Sequence, residues 1–448
     1  AMCSNTTGLA NTSVGQQSLV KNTTACNNTT VGKSSMHNNT TGIANTAVGR
    51  SALNANTTGT CNVAVGMAAL AVNTTGHYNV AAGPDALCSN TSGCRNIGVG
   101  LGALQNNTTG CFNTALGSGA LGENTAAKQN TAIGGCALAK NGAAATGCSN
   151  VAVGFKAAFC NTTGFENQAI GVQALHENTT GYKNQVMGYQ TAYNNTTGNC
   201  NVAIGHGAFA QNTTGHWNTT VGTFSLGKNT TGTCNVAMGI TTLCKVTTGA
   251  RNVGFGNQAG CAIETGCDNT IIGHGTTGTC SSFCNQILIG CGVTGAGTNQ
   301  TVIGNSNTTN TKLCGALSKS SGTFIIAHPD PAKRETKDLQ HSFVESPTEG
   351  DNLYRYSVKV TNNKSVIELP DYYRYLNKND MVWVSPTDHF GAAYGKVTSD
   401  QRCLEVCANT DGDYNVLLIG TRKDICATTA WTGVEPDRVP GSPSRNLA

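Results

Sequence analysis

The 21 cysteines are the residues of this 448-residue sequence with the widest chemical reach, and their spacing decides what they can do. Cys26, Cys94, Cys111, Cys148, Cys267 and Cys284 stand six residues before a glycine, while Cys88, Cys244 and Cys261 stand five after one. Cys94 and Cys111 are 17 residues apart, as are Cys244 and Cys261, and Cys267 and Cys284. If 17 residues make one coil of a stack, the Cα atoms of each pair lie about 5 Å apart, inside the window for a disulfide. Cys88 with Cys94, and Cys261 with Cys267, are the alternatives, closing a corner instead. Such usage points to an oxidising, extracellular setting. The competing readings are thiols that serve as small hydrophobes, or a zinc cluster of Cys280, Cys284 and Cys291. The expectation is no metal site and no cofactor. The odd total leaves at least one thiol free or bridging two chains.

Other motifs carry less chemistry. Gly273-His-Gly-Thr-Thr-Gly278 and Gly290-Cys-Gly-Val-Thr-Gly295 match the dinucleotide-binding spacing, but that fingerprint needs a βαβ unit, of which the sequence has no sign. No Gly-x-Ser-x-Gly or His-Glu-x-x-His occurs, and the nine histidines are scattered, expected to face solvent. No catalytic residue is expected. Asn-x-Thr sequons are frequent. Asn27, Asn38, Asn106 and Asn194 fall in columns otherwise filled by Lys, Glu, Gln, Ser and Arg, so these four are the candidate glycosylation sites of a secreted chain.

The elements that must position these residues follow from one period. A glycine closes an Asn-x-Ala-Val-Gly type block at 15, 32, 49, 66, 83, 100, 117 and 134, and again from 154 to 290, every step being 17 residues except the 20 from Gly134 to Gly154. So strict a period marks a solenoid in which each repeat is one coil, with three residues bulging from one of them. Seventeen residues are too few for a helical repeat, and Asn, Thr, Gly and Val dominate, which predicts an all-β fold: a parallel β-solenoid. Alternation of Val, Ile and Thr before each glycine predicts a strand, and Leu19, Met36, Leu53, Leu70 and Leu87 a second wall. The expected core is Val and Ile from one wall against Ala-Leu from the other. Asn11, Asn28, Asn45, Asn62, Asn79, Asn96, Asn113 and Asn130 form one column and Asn5, Asn22, Asn39, Asn56 and Asn73 begin another, each predicting a buried ladder of amides about 4.8 Å apart. Gly8, Gly42, Gly59, Gly76, Gly93 and Gly110 are expected to supply positive φ at corners.

Composition divides the chain. Only 11% of residues are charged, against about a quarter in an ordinary domain. Residues 1–304 hold 17 of those charges and one proline, Pro84, as though most positions need their N–H. The domains read as a shaft over 1–304, a polar linker over 305–321, a small β-domain over 322–432, where Pro, Gly and Asp-Gly turns separate short alternating strands, and a tail over 433–448. The net charge of +4 is spread thinly, so nucleic acid is not an expected partner. Nor is membrane insertion, since no apolar stretch approaches the roughly 18 residues a spanning helix needs.

The Asn-Thr-Ala-Val-Gly block with Ala-Leu and Asn-Thr-Thr-Gly resembles the parallel β-roll repeats of trimeric autotransporter adhesin heads and of phage and large-virus tail-fibre shafts. The segments Leu353-Tyr-Arg-Tyr and Asn415-Val-Leu-Leu-Ile-Gly look like the terminal β-domain of viral fibres. The resemblance covers about two thirds of the chain and implies a left-handed, usually trimeric, adhesive or structural roll without catalysis. The 17-residue coil is longer than the adhesin coil. The expected function is a non-enzymatic structural subunit of an extracellular or virion-surface fibre whose C-terminal domain assembles or attaches it. Its partners would be itself, as a trimer or end-to-end polymer, and a cell-surface glycan or receptor. A glycosylated secreted filament or surface hair of a eukaryotic microbe is the alternative. A polysaccharide-processing β-helix enzyme is a third reading, disfavoured because the shaft's charges do not gather into a cleft.

Overall fold

β-Branched triplets held between an Asn and a Gly are too short to be strands alone and become strands only by stacking. In the computed structural model they do so from Thr12–Val14 to Thr301–Ile303, forming one 18-stranded parallel sheet. The structure describes residues 2–142, 146–309, 311, 324–327, 338–341 and 351–423, with backbone alone at 324–327, 338–341 and 351. Partners sit 17 residues apart, Thr46 on Val63 and Val63 on Val80, so the fold is the expected parallel β-solenoid. Across the three-residue insertion Thr131 still meets Val151. The last coil is shorter, with Ile287 on Thr301.

The strand phase differs from the expectation by one residue. In every triplet but the first and the last the middle residue is buried and the flanking side chains face out: Ala64 is fully buried between Val63 and Val65, which are 37% and 42% exposed. Space explains the inversion. The opposite wall inserts Leu53, Leu70 and Leu87, all fully buried, and leaves room for little more than a methyl group. Where a strand does send a larger side chain inward, that wall shrinks: Ile271 lies beside Gly260, and Val186 belongs to the coil that carries Ala192.

That second wall is not a strand. Ala68 and Leu70 have φ of 57° and 51°, a left-handed conformation that costs roughly 1–2 kcal/mol for a non-glycine residue. The amides of these two residues point in opposite directions along the stack. Leu70 N–H donates to Ala86 O at 3.0 Å in the next coil, and Ala68 N–H to Arg50 O at 2.9 Å in the preceding one. Pro84 occupies a column in which the carbonyl joins the stack and the amide does not: Pro84 O accepts from Gly102 N–H at 3.0 Å, as Met67 O accepts from Asp85 N–H at 2.9 Å.

Both asparagine columns are ladders. Asn62 Oδ1 accepts from the backbone N–H of Asn79 at 2.9 Å and from its Nδ2 at 3.1 Å. Asn73 Nδ2 donates to Asn56 Oδ1 at 2.8 Å. The two meet at a corner: Gly76 O accepts from Asn62 Nδ2 at 2.8 Å and from Asn73 Nδ2 at 3.1 Å. In the first column Asn28 to Asn130 are buried, and Asn11, at the open end, is half-buried.

The corner glycines are needed for a reason other than φ. At Gly59 an added Cβ would lie 2.5 Å from Gly76 O and clash with Asn56 Oδ1, yet its φ is not positive. The positive φ belongs to the closing glycines, as at Gly66, where φ is 138° and a Cβ would also lie 2.5 Å from Gly83 O.

Contacts divide the chain into Ala1–Lys312 and Leu313–Ala448. In the second unit, strands Asp351–Val360, Gly412–Arg422 and Asn377–Pro386 form one antiparallel sheet, and Lys364–Glu368, Cys403–Ala408 and Ala393–Val397 another. They share a core of Val360, Leu404, Val406, Tyr414, Val416 and Leu418, which agrees with the expected small β-domain. Most of the 305–321 linker, the 433–448 tail and Trp431 lie outside the described residues.

The ladder makes a measurable demand. Asn79→Ala leaves the N–H of Asn96 without its acceptor and takes the Nδ2 donor, though not the backbone donor, from Asn62 Oδ1, and should lower shaft stability by about 1–3 kcal/mol. Asn106→Ala, on the exposed column, should change it by less than about 0.5 kcal/mol. Denaturant unfolding followed by circular dichroism distinguishes the two.

Candidate functional site: the outward face of the shaft

Because the strand triplets turn their bulky members outward, the sheet presents an apolar strip to its surroundings. Val14, Val31, Val65, Val99, Ile133, Ile170, Ile204 and Ile272 occupy one column, each at least 36% exposed, with Thr12, Thr29, Val63, Ile97 and their equivalents beside them. The outward face is two side chains wide and continues along the 18 strands, one column apolar and the other mixing Thr, Val and Ile with Gln168 and Gln185. At about 4.8 Å per strand it is about 80 Å long and, at three residues per strand, about 10 Å wide, or on the order of 800 Å². Exposed apolar patches on monomers rarely exceed a few hundred Å².

The charged side chains lie elsewhere. Residues in one column sit one strand spacing apart, and some opposite charges pair there: Arg251 meets Asp268 at 2.6 Å and Lys183 meets Glu166 at 3.9 Å, whereas Lys33 and Arg50, and Lys228 and Lys245, are like charges one coil apart. The Arg251 guanidinium holds the Asp268 carboxyl below its ordinary value through their hydrogen bond. Aromatic side chains stack by the same rule, as Phe165 does on Tyr182 at 4.8 Å.

The cysteine columns stack as the period implies. Cys111 Sγ accepts from Cys94 N–H at 3.2 Å and Cys284 Sγ from Cys267 N–H at 3.1 Å. Cys244 is near enough to Cys261 for the second thiol, after burial, to push its pKa up. Cys88 Sγ instead lies 3.5 Å from Gln105 O, and Cys94 Sγ 3.2 Å from Ser92 O. Cys88, Cys94, Cys111, Cys244, Cys261, Cys267 and Cys284 are thiols in the structure, so no pairing follows from it. The proposed zinc cluster is not assembled. Cys280 Sγ faces Ser282 Oγ at 3.4 Å, Cys284 Sγ faces Ser282 O at 3.5 Å, and Cys291 Sγ lies 4.0 Å from His274 Nδ1. Both Gly-x-Gly-x-x-Gly runs lie within solenoid coils, and the one helix among the described residues is Tyr373–Leu376. Asn27, Asn106 and Asn194 are exposed and Asn38 is half-buried.

Two features escaped the sequence reading. His176 is buried, not solvent-facing. In the C-terminal unit, Arg355, Ser357, Trp383, Ser385, Asn415 and Leu417 line an open depression of about 570 Å³, with Trp383 53% exposed. Alternation along Asp351–Val360 and Asn377–Pro386 sends Tyr354, Tyr356, Val382 and Val384 to the core and these residues to the other face. Burial pushes the Tyr354 and Tyr373 hydroxyls well above the usual tyrosine range.

No protein-family model matches the chain, and no curated protein matches it.

In protein matured outside a reducing cytosol, non-reducing peptide mapping should find Cys94 joined to Cys111 and Cys267 to Cys284, the stacked pairs, in preference to Cys88–Cys94 and Cys261–Cys267. Recovery of all six as free thiols would remove cross-linking from the account of the shaft.

Proposed function

We propose that the chain is a non-enzymatic structural subunit of an extracellular or virion-surface fibre, in which copies associate side by side through the outward apolar strip of the shaft. The observation that carries this reading is the strip. Its area, on the order of 800 Å² per copy, equals what one partner contributes to a standard protein–protein interface. Its occupant is a second copy of the shaft, because only another straight rod with a 4.8 Å repeat can cover so long and narrow a surface in register. Two or three rods sharing such strips bury the β-branched residues and leave the charged and sequon-bearing columns outside.

The C-terminal unit serves attachment in this reading. Trp383 offers a ring face, and Arg355, Ser357 and Asn415 offer polar groups around it, the combination that recognises a saccharide ring. A glycosylated secreted filament is the second reading, favoured by the exposure of Asn27, Asn106 and Asn194.

Two experiments test the proposal. The double variant Val65→Lys, Ile133→Lys places ammonium groups in the strip and should weaken self-association by about 100-fold or more, with unchanged circular dichroism. Sedimentation that finds the same assembly in wild type and variant would reject the interface. Trp383→Ala, or deletion of 322–448, should abolish attachment to glycan-coated surfaces while shaft assembly persists; normal attachment by the truncated chain would reject the role of the domain.

A further inference from the structure

The remaining buried ionisable group of the shaft has a different chemistry. His176 and Glu177 follow one another on the turn wall of one coil, and Cys160 stands 17 residues before Glu177, hence directly beside it in the neighbouring coil. His176 Nδ1 is 2.8 Å from Glu177 Oε1, and Cys160 Sγ is 3.4 Å from Glu177 Oε2. The three donor atoms lie within 4.8 Å of one another, and among the described residues this is the one such group of three. The imidazole is clamped. It stacks between Phe159, at 5.3 Å and 14°, and Tyr193, at 4.8 Å and 4°, so its orientation is fixed before any ligand arrives.

We propose that Cys160, His176 and Glu177 bind one divalent transition ion of the zinc class, which staples two successive coils. Thiolate, imidazole and carboxylate together suit a borderline ion; the hard ions magnesium and calcium require an all-oxygen set. Three protein donors leave a fourth tetrahedral position for water. On binding, the ion displaces the thiol proton of Cys160 to solvent, while the neutral imidazole of His176 binds through Nδ1 with its one proton on Nε2 and Glu177 binds as the carboxylate, so one proton is released. Lys140, the nearest cation in the Cys160 column, is drawn off the cluster: its Nζ lies 5.2 Å over the Phe159 ring. Without an ion, burial and then the adjacent Glu177 carboxylate raise the Cys160 pKa, so the thiol stays protonated. The position has structural sense, since the staple closes the first full coil after the insertion that lengthens the step from Gly134 to Gly154.

The probe is Co²⁺ added to the full chain kept reduced with a phosphine. One equivalent should produce visible d–d bands and a near-ultraviolet thiolate charge-transfer band, both removed by one equivalent of Zn²⁺. Cys160→Ser should abolish the charge-transfer band, and Glu177→Gln should weaken binding at least tenfold, with the strand dichroism retained in each. Cys261→Ser, at another column, should leave the spectrum unchanged. Absence of the bands in the wild type at millimolar Co²⁺, or their persistence with equal intensity and affinity in Cys160→Ser, would overturn the site.

Discussion

The carbonyl of the corner glycine is the point on which the shaft depends. Gly76 O receives one amide from Asn73 in its own coil and one from Asn62 in the coil before it, so a single acceptor ties the two ladders together and fixes how far one coil sits from the next. Beyond Asn5 and Asn11 at the first coil the ladder amides are buried, where an unmatched donor or acceptor costs about 1–3 kcal/mol. Registry is therefore enforced at every coil. Where a ladder ends, the cost is visible: Val246 stands where the next asparagine would be, and Asn229 Oδ1 is left without a partner. Gln286 takes over from asparagine in the other column and reaches Gly297 O at 2.8 Å, which fits it to the shortened last coil.

Registry then decides which side chains can stand in each column. A residue meets its own equivalent one strand spacing above and below, so the column must tolerate itself. Glycine predominates at the corner, where the neighbouring carbonyl lies at the place of a Cβ, although Ala25 and Ala127 hold the same position in two coils. Leucine repeats inside because it nests on leucine. Arg251 pairs with Asp268, Phe165 lies ring on ring with Tyr182, and Gln190 donates to Gln173 at 2.9 Å. The low charge of the shaft follows from the same rule, since a column can hold few charges without repulsion.

How much of this is legible in the sequence depends on which physical quantity sets it. The period, the parallel stack and both asparagine ladders are written in exact spacing and chemistry, and they were readable without coordinates. The facing of Val63 and Val65 was not, because hydrophobicity alone sends them inward. The signal against that reading was size: Ala47, Ala64, Ala81, Gly98 and Ala115 hold the middle position, too small to fill a core alone but right for one already filled by leucine. The corner glycines were misassigned for a related reason, since sequence shows that glycine is needed but not whether φ or a close carbonyl demands it. The Cys160, His176 and Glu177 cluster combines two adjacent columns with a neighbouring coil, and only the 17-residue difference between Cys160 and Glu177 hinted at it.

Inverting the strand also changes what the fold is for. A solenoid whose β-branched residues face inward would be complete as a single chain, with a polar surface all round. This one is filled by leucine and alanine, and spends its valine and isoleucine on the outside, where they add nothing to the interior of the chain that carries them. Selection for stability of one rod would replace them with threonine, which keeps the β preference and is soluble. An outward column of Val, Ile, Leu and Met, with Ala82 and Phe255 among them, makes sense under the proposal that the unit that must be stable is an assembly of rods. In the proposed assembly the narrow core would cease to be a weakness: each coil is too thin to bury much apolar surface by itself, and contacts between chains would supply the rest.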